Sequence, residues 1–221
     1  MPDPGRIPGP VVIPTGIQVR LIWTLPNGKT VYNVLHGIVG GGFTATSTVA
    51  EAVRAALTAA GGWTTLRPLL NTGVSFAGVD LRDLRSINQP IVQSTGAAIA
   101  GTGAGTALPP GDALTVTLRT ATVGRNSRGR VYLPGFDSTA MASGGVAAAG
   151  TVTAATGFVT AVQTALSGQG ITLALANPAR AAYTGSTGAA HAARTAAMLT
   201  VTSIVTRNNI FDHQRRRAGR S

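Results

Sequence analysis

Apolar and polar residues alternate most cleanly in two places. Ile17, Val19, Leu21, Trp23 and Leu25 alternate with Gln18, Arg20 and Thr24, and Leu114, Val116 and Leu118 alternate with Thr115, Thr117 and Arg119. A period of two marks a strand buried on one side. Turn chemistry and a return strand follow each of them. Pro26-Asn27-Gly28 sends the first back along Thr30 to about His36, Asn-Gly being a strong hairpin signal. Gly124, Asn126, Ser127 and Gly129 turn the second, after which Val131 and Leu133 alternate with Arg130 and Tyr132 on the way to Phe136. The hairpin 114–136 therefore carries Arg125, Arg128 and Arg130 as a cationic tip.

Elsewhere the period changes to that of a helix. Val49, Val53, Ala56, Leu57 and Ala60 predict a helix from Thr48 to Ala60, with Thr48 and Glu51 at capping-box spacing and Gly61-Gly62 as its stop. Phe158, Val159, Val162, Ala165 and Leu166 predict a second, from about Thr156 to Ser167, ended by Gly168 and Gly170. Short strands are expected at Trp63 to Leu70, Val74 to Leu84, Ile171 to Leu175 and Leu199 to Val205. The fold class expected is α+β: mainly antiparallel sheet with two helices on one face and Thr-rich positions such as Thr115, Thr117, Thr200 and Thr202 on the other. The order strand, strand, helix, strand, strand comes round twice, in 16–85 and in 114–207, which suggests an internal duplication. A Gly/Pro-rich linker, 86–113, separates the units, a Pro-rich arm, 1–15, precedes them, and a basic tail, 208–221, follows.

Composition sharpens this picture. With 44% hydrophobic residues in 221 the chain buries a sizeable core, while only 11% are charged, well below the roughly 25% of an ordinary soluble domain. A surface so poor in charge suits burial against copies of itself. The net charge is +11, and it comes from seventeen Arg and a single Lys, Lys29, against seven acids. A GC-rich genome would account for Arg over Lys but not for the excess over acids. The guanidinium fork suits phosphate or carboxylate. There is no Cys, hence no disulfide and no thiolate metal site. The start, MPDPGRIPGP, lacks the apolar run of a secretion signal, and no run of 18 apolar residues exists, so no membrane partner is expected.

Catalytic chemistry is not legible. Asn27-Gly28-Lys29-Thr30 has the end of a phosphate loop but Trp23 where its first Gly belongs, and it reads as a hairpin turn. The glycines at 101, 103 and 105 lack the following helix of a dinucleotide site. His36, His191 and His213 form no metal-ligand spacing. Asp80 and Asp83 interleave with Arg82 and Arg85, as surface ion pairs do. No serine lies in a nucleophile elbow. The expectation is a protein that is not an enzyme and takes no cofactor.

What chemistry there is lies in arginine. Asp212-His213-Gln214-Arg215-Arg216-Arg217, with Arg220 behind, ends the chain, and such a block seeks polyanion. Few aromatics lie near either cluster, so base stacking is not expected. Leu-Pro-Pro at 108–110, Thr117-Leu118-Arg119-Thr120, the run from Gly124 to Tyr132 and the terminal Asp212 to Arg217 resemble small virion proteins of bacteriophages and environmental viruses. The resemblance covers the second half and implies a structural protein of the virion, made in the host cytoplasm. Its simplest form is a coat subunit that assembles with copies of itself, with Arg125, Arg128, Arg130, Arg215, Arg216, Arg217 and Arg220 placed to contact nucleic-acid phosphates or an acidic surface of a neighbouring subunit. A tail or connector component, or a nucleic-acid-binding module that does not assemble, is the alternative.

Overall fold

In a computed structural model, which describes residues 15–84, 90–104, 113–120, 128–134, 148–173, 183–184, 187–191 and 199–207, the alternation beginning at Ile17 becomes β1 (Thr15–Thr24). Its apolar set, Ile17, Val19, Leu21 and Trp23, is wholly buried. β2 (Thr30–Val39) pairs with β1 antiparallel from Thr15↔Val39 to Thr24↔Thr30. The turn between them is closed by the amide of Leu25 on the carbonyl of Lys29 at 2.8 Å, and the Asn27 side chain accepts from the Lys29 amide at 3.0 Å. On the other side β3 (Ser75–Asp83) pairs with β1, with a register shift between Ile22 and Trp23.

Three helices cover the apolar face. α1 (Ser47–Ala59) buries Ala50, Val53 and Leu57. Its cap is Thr46, whose hydroxyl accepts from the Val49 amide at 3.2 Å, so the expected Thr48/Glu51 capping box does not form. Nor do Gly61 and Gly62 stop a helix. α1 ends because Ala60 turns extended, and Gly61 opens α2 (Gly61–Leu66), which runs into a single 3-10 turn, Arg67–Leu69. The strand expected at Trp63 to Leu70 is thus helical. Trp63 and Leu66, three apart, both enter the core, a spacing that a strand would split between two faces. α3 (Ala149–Gly168) begins seven residues before the expected Thr156. It ends as expected at Gly170, whose amide bonds the Ser167 carbonyl while Ile171 bonds Leu166, both at 3.0 Å. That crossed pair needs a left-handed residue, and Gly170 supplies it at φ 72°.

The stretch expected as a linker contributes strands within its described part. β4 (Val92–Gln93) and β5 (Ile99–Ala100) both pair with β3. Glu51, free of the cap, anchors this strap. Its carboxylate accepts from the amides of Thr95 and Gly96, each at 2.9 Å, and pairs with Arg54, whose Nη2 lies 2.7 Å from Oε1. The side-chain hydrogen bond from Arg54 leads the influences that hold the Glu51 carboxyl below its ordinary 4.5, desolvation opposing it. A carboxylate with a depressed pKa contributes stability above its unfolded-state value, and that contribution is lost as pH falls through the folded-state value. Glu51→Gln is therefore expected to cost about 1 kcal/mol near neutral pH. The difference should begin to shrink as pH falls below the ordinary 4.5 and vanish once pH is below the lowered folded-state value, as read from urea midpoints across pH.

The second hairpin forms as expected from β6 (Ala113–Thr120) and β7 (Arg128–Pro134), and β11 (Leu199–Arg207) pairs with β6 on its other side. β8 (Thr172–Leu173) leaves this group and joins β2, completing a six-stranded sheet ordered β4-β3-β1-β2-β8 with β5 also on β3. β9 (Tyr183–Thr184) and β10 (Ala190–His191) make a small antiparallel pair. The α+β class with a mainly antiparallel sheet stands, with a third helix added. The first unit departs from the expected element order where 63–69 is helical, and the two sheets share a three-strand wiring. The orders β2-β1-β3 and β7-β6-β11 both send a helix between second and third strands. Both also carry a register shift between first and third, the second one between Val201 and Ser203, where Thr202 falls.

Candidate functional site: an arginine-bearing sheet face

The pairing register builds this site. β6 sets Arg119 opposite Arg128, Thr117 opposite Arg130 and Thr115 opposite Tyr132. Across β6, β11 sets Thr200 opposite Arg119 and Ser203 opposite Thr117. Directly paired positions share a face, as do positions two apart on one strand. One face of the three-stranded sheet therefore holds Arg119, Arg128 and Arg130 among Thr115, Thr117, Thr200, Ser203 and Tyr132, with Val205, Ala113 and Pro134 toward its far end. The other holds Leu114, Val116, Leu118, Val131 and Leu133. Arg207, opposite Ala113, joins the polar face at its far end.

Residues directly opposite stand roughly 5 Å apart at Cβ, and like charges there repel. No acid lies anywhere in β6, β7 or β11, and residues 105–221 hold eleven arginines against three acids. The first sheet supplies the contrast within the same chain. Arg20 pairs with Asp80, directly opposite it on β3, and its guanidinium lies 4.8 Å from the Tyr32 ring centre. Arg54 pairs with Glu51, and Arg67 donates to the Ala100 carbonyl at 2.8 Å. These three arginines, on and beside the first sheet, have partners, whereas the strands of the second sheet carry no acid.

Asp80 and Asp83 correct an expectation. They do not lie at the surface but are 4% and 2% exposed, and Asp80 pairs with an arginine from β1. His36 is exposed, and among the described residues no three His, Cys, Asp or Glu come together as a metal site would need. The turn at 27–30 is the hairpin expected of it, and Gly101 donates to Val74 beside β5.

Of the expected site residues, Arg128 and Arg130 sit on β7, two positions apart on the arginine face. Arg125, Arg215, Arg216, Arg217 and Arg220 lie outside the described residues. Arg119 is the residue that sequence reasoning passes over. Its place opposite Arg128 follows from the length of the turn, and alternation alone does not reveal the register. The arrangement suits multivalent contact with phosphate: forked cations with Thr and Ser hydroxyls between them. Among the described residues no helix is long and apolar enough to cross a membrane. No family model, curated protein or solved structure matches the chain.

Proposed function

We propose that the protein is a viral structural protein, most simply a self-assembling coat subunit, whose arginine clusters contact packaged nucleic acid or neighbouring subunits. The observation that carries this reading is an arginine face without acids on a chain whose surface is otherwise poor in charge. Such a surface supports packing against copies, while the arginine face supports binding to polyanion. The protein acts in the virion, after assembly in the host cytoplasm, and is not an enzyme. A tail or connector role uses the same features with a different assembly geometry.

Electron microscopy and sedimentation of the purified chain, with and without nucleic acid and across salt and pH, test the reading. Closed particles support it. A chain that stays monomeric under all these conditions ends it, and tight binding by such a monomer makes the protein a nucleic-acid-binding module instead.

The tail gives a separate expectation. Arg215, Arg216, Arg217 and Arg220 lie in a segment whose one apolar residue after Phe211 is Ala218. Replacing all four with Ala should leave stability within about 0.5 kcal/mol. The slope of log affinity against log salt should shrink by roughly three. A loss of stability with unaltered binding would make this segment a clamp between strands or subunits.

A further inference from the structure

We infer that the face built by Arg119, Arg128 and Arg130 takes the phosphodiester backbone of a polynucleotide, and not an acidic patch on a neighbouring copy. This rests on the proposed role of the protein and narrows the partner of its arginine face to one.

The number and spacing of the chain's own acids count against the alternative. There are seven per copy. Glu51 is held by Arg54 and two backbone amides, Asp80 pairs with Arg20, and Asp83 is 2% exposed. The other four, Asp3, Asp112, Asp137 and Asp212, are strung out singly, with no two closer than 25 residues in sequence. A neighbouring copy therefore has no run of acids to offer, and it brings a further +11 of like charge. At low salt such copies repel one another.

A polynucleotide resolves both problems together. Its regularly spaced phosphates accept from several forked donors at once, and three arginines on paired and alternate positions present such a set. The hydroxyl residues between them, Thr117, Thr200 and Ser203, add neutral donors that read no sequence. Tyr132 is the one aromatic on the arginine face, so the contact is to backbone, with no stacked base ladder. Charge balance then sets a stoichiometry. A chain of +11 is neutralised by about eleven nucleotides, so assembly at low salt saturates near that ratio.

The test uses the full chain stripped of nucleic acid and a fluorescent single-stranded thymidine oligomer, titrated at several salt concentrations. In the variant carrying Arg119→Ala, Arg128→Ala and Arg130→Ala, the salt slope is expected to fall by roughly two, at about 0.7 for each single-strand phosphate left without its arginine. Its melting temperature should hold or rise, because three mutually repelling charges are gone. Single variants Arg119→Gln and Arg128→Gln each lower the slope by roughly 0.7 and report independently if the triple variant folds poorly. Polyglutamate at equal charge should fail to displace the oligomer. An unchanged slope in these variants overturns the inference, and so does polyglutamate that competes as well as nucleic acid. The expected fall in slope together with an absence of particles supports the phosphate face while ending the coat reading, so the two fail separately.

Discussion

Replacing Trp23 with alanine is expected to cost about 3–5 kcal/mol, a large share of the roughly 5–15 kcal/mol that holds a domain together. Trp23 is fully buried, with its ring 5.1 Å from Phe76, 5.9 Å from Phe158 and 6.3 Å from Trp63 between centres. Those rings belong to β3, α3 and α2, so one side chain on β1 ties the sheet to two helices. Removing it opens a cavity whose walls are backbone-anchored elements that cannot easily collapse inward. Trp23→Phe should cost less than half as much. The indole Nε1 is buried without a hydrogen-bond partner, and a donor in that state costs about 1–3 kcal/mol, which its removal returns. Urea unfolding followed by circular dichroism measures both variants. Equal losses would mean that the indole nitrogen carries no such cost.

How far the fold is legible depends on contrast between neighbouring positions. β1, β2 and the turn between them are plain because a fully apolar face alternates with Gln18, Arg20 and Thr24 and then meets Asn27-Gly28. The 63–70 segment misleads because Thr64 and Thr65 are β-branched and Pro68 follows, all of which speak against helix. Packing overrides that preference: Trp63 and Leu66 enter the core together only when the backbone coils. The start of α3 is hidden for a different reason. Residues 149–156 are Ala, Gly, Thr and Val with no charged face, yet Thr151, Ala154 and Ala155 are buried. A helix covered on more than one side shows no amphipathic stripe.

Glu51 shows how one spacing serves two structures. Thr-x-x-Glu signals a capping box, but here the cap lies two residues earlier, and the carboxylate reaches a strap 44 residues away in sequence. No local pattern announces a long-range acceptor. The arginine face is half visible in the same way. Arg128 and Arg130 stand out as a pair of alternate positions beside a turn, whereas Arg119 enters only when the hairpin register is fixed. What marks the face as a site is the absence of any acid on β6, β7 and β11, and that too becomes meaningful only once the three strands are known to lie side by side.

Gly62→Ala is expected to cost about 3 kcal/mol, at the upper end of what overpacking does, although alanine is the better helix former by about 1 kcal/mol. Gly62 lies where α2 crosses α3, and a Cβ there would stand 2.1 Å from the Gly157 carbonyl oxygen and 2.7 Å from the Phe158 amide nitrogen. The obstacle is backbone, so no change of rotamer relieves it. The helices must separate, drawing Trp63 away from Phe158, whose ring centres are 6.2 Å apart, and loosening the cluster around Trp23. A fall in melting temperature of roughly 6–12 °C follows for a chain of this size. Gly157→Ala is the matched control, because a Cβ on that side meets only the Gly62 Cα at 3.4 Å, an ordinary contact. That variant should melt at or slightly above the parent. If the two variants melt alike, the helices give way freely at the crossing, and the close approach of α2 to α3 is not what orients Trp63 in the core.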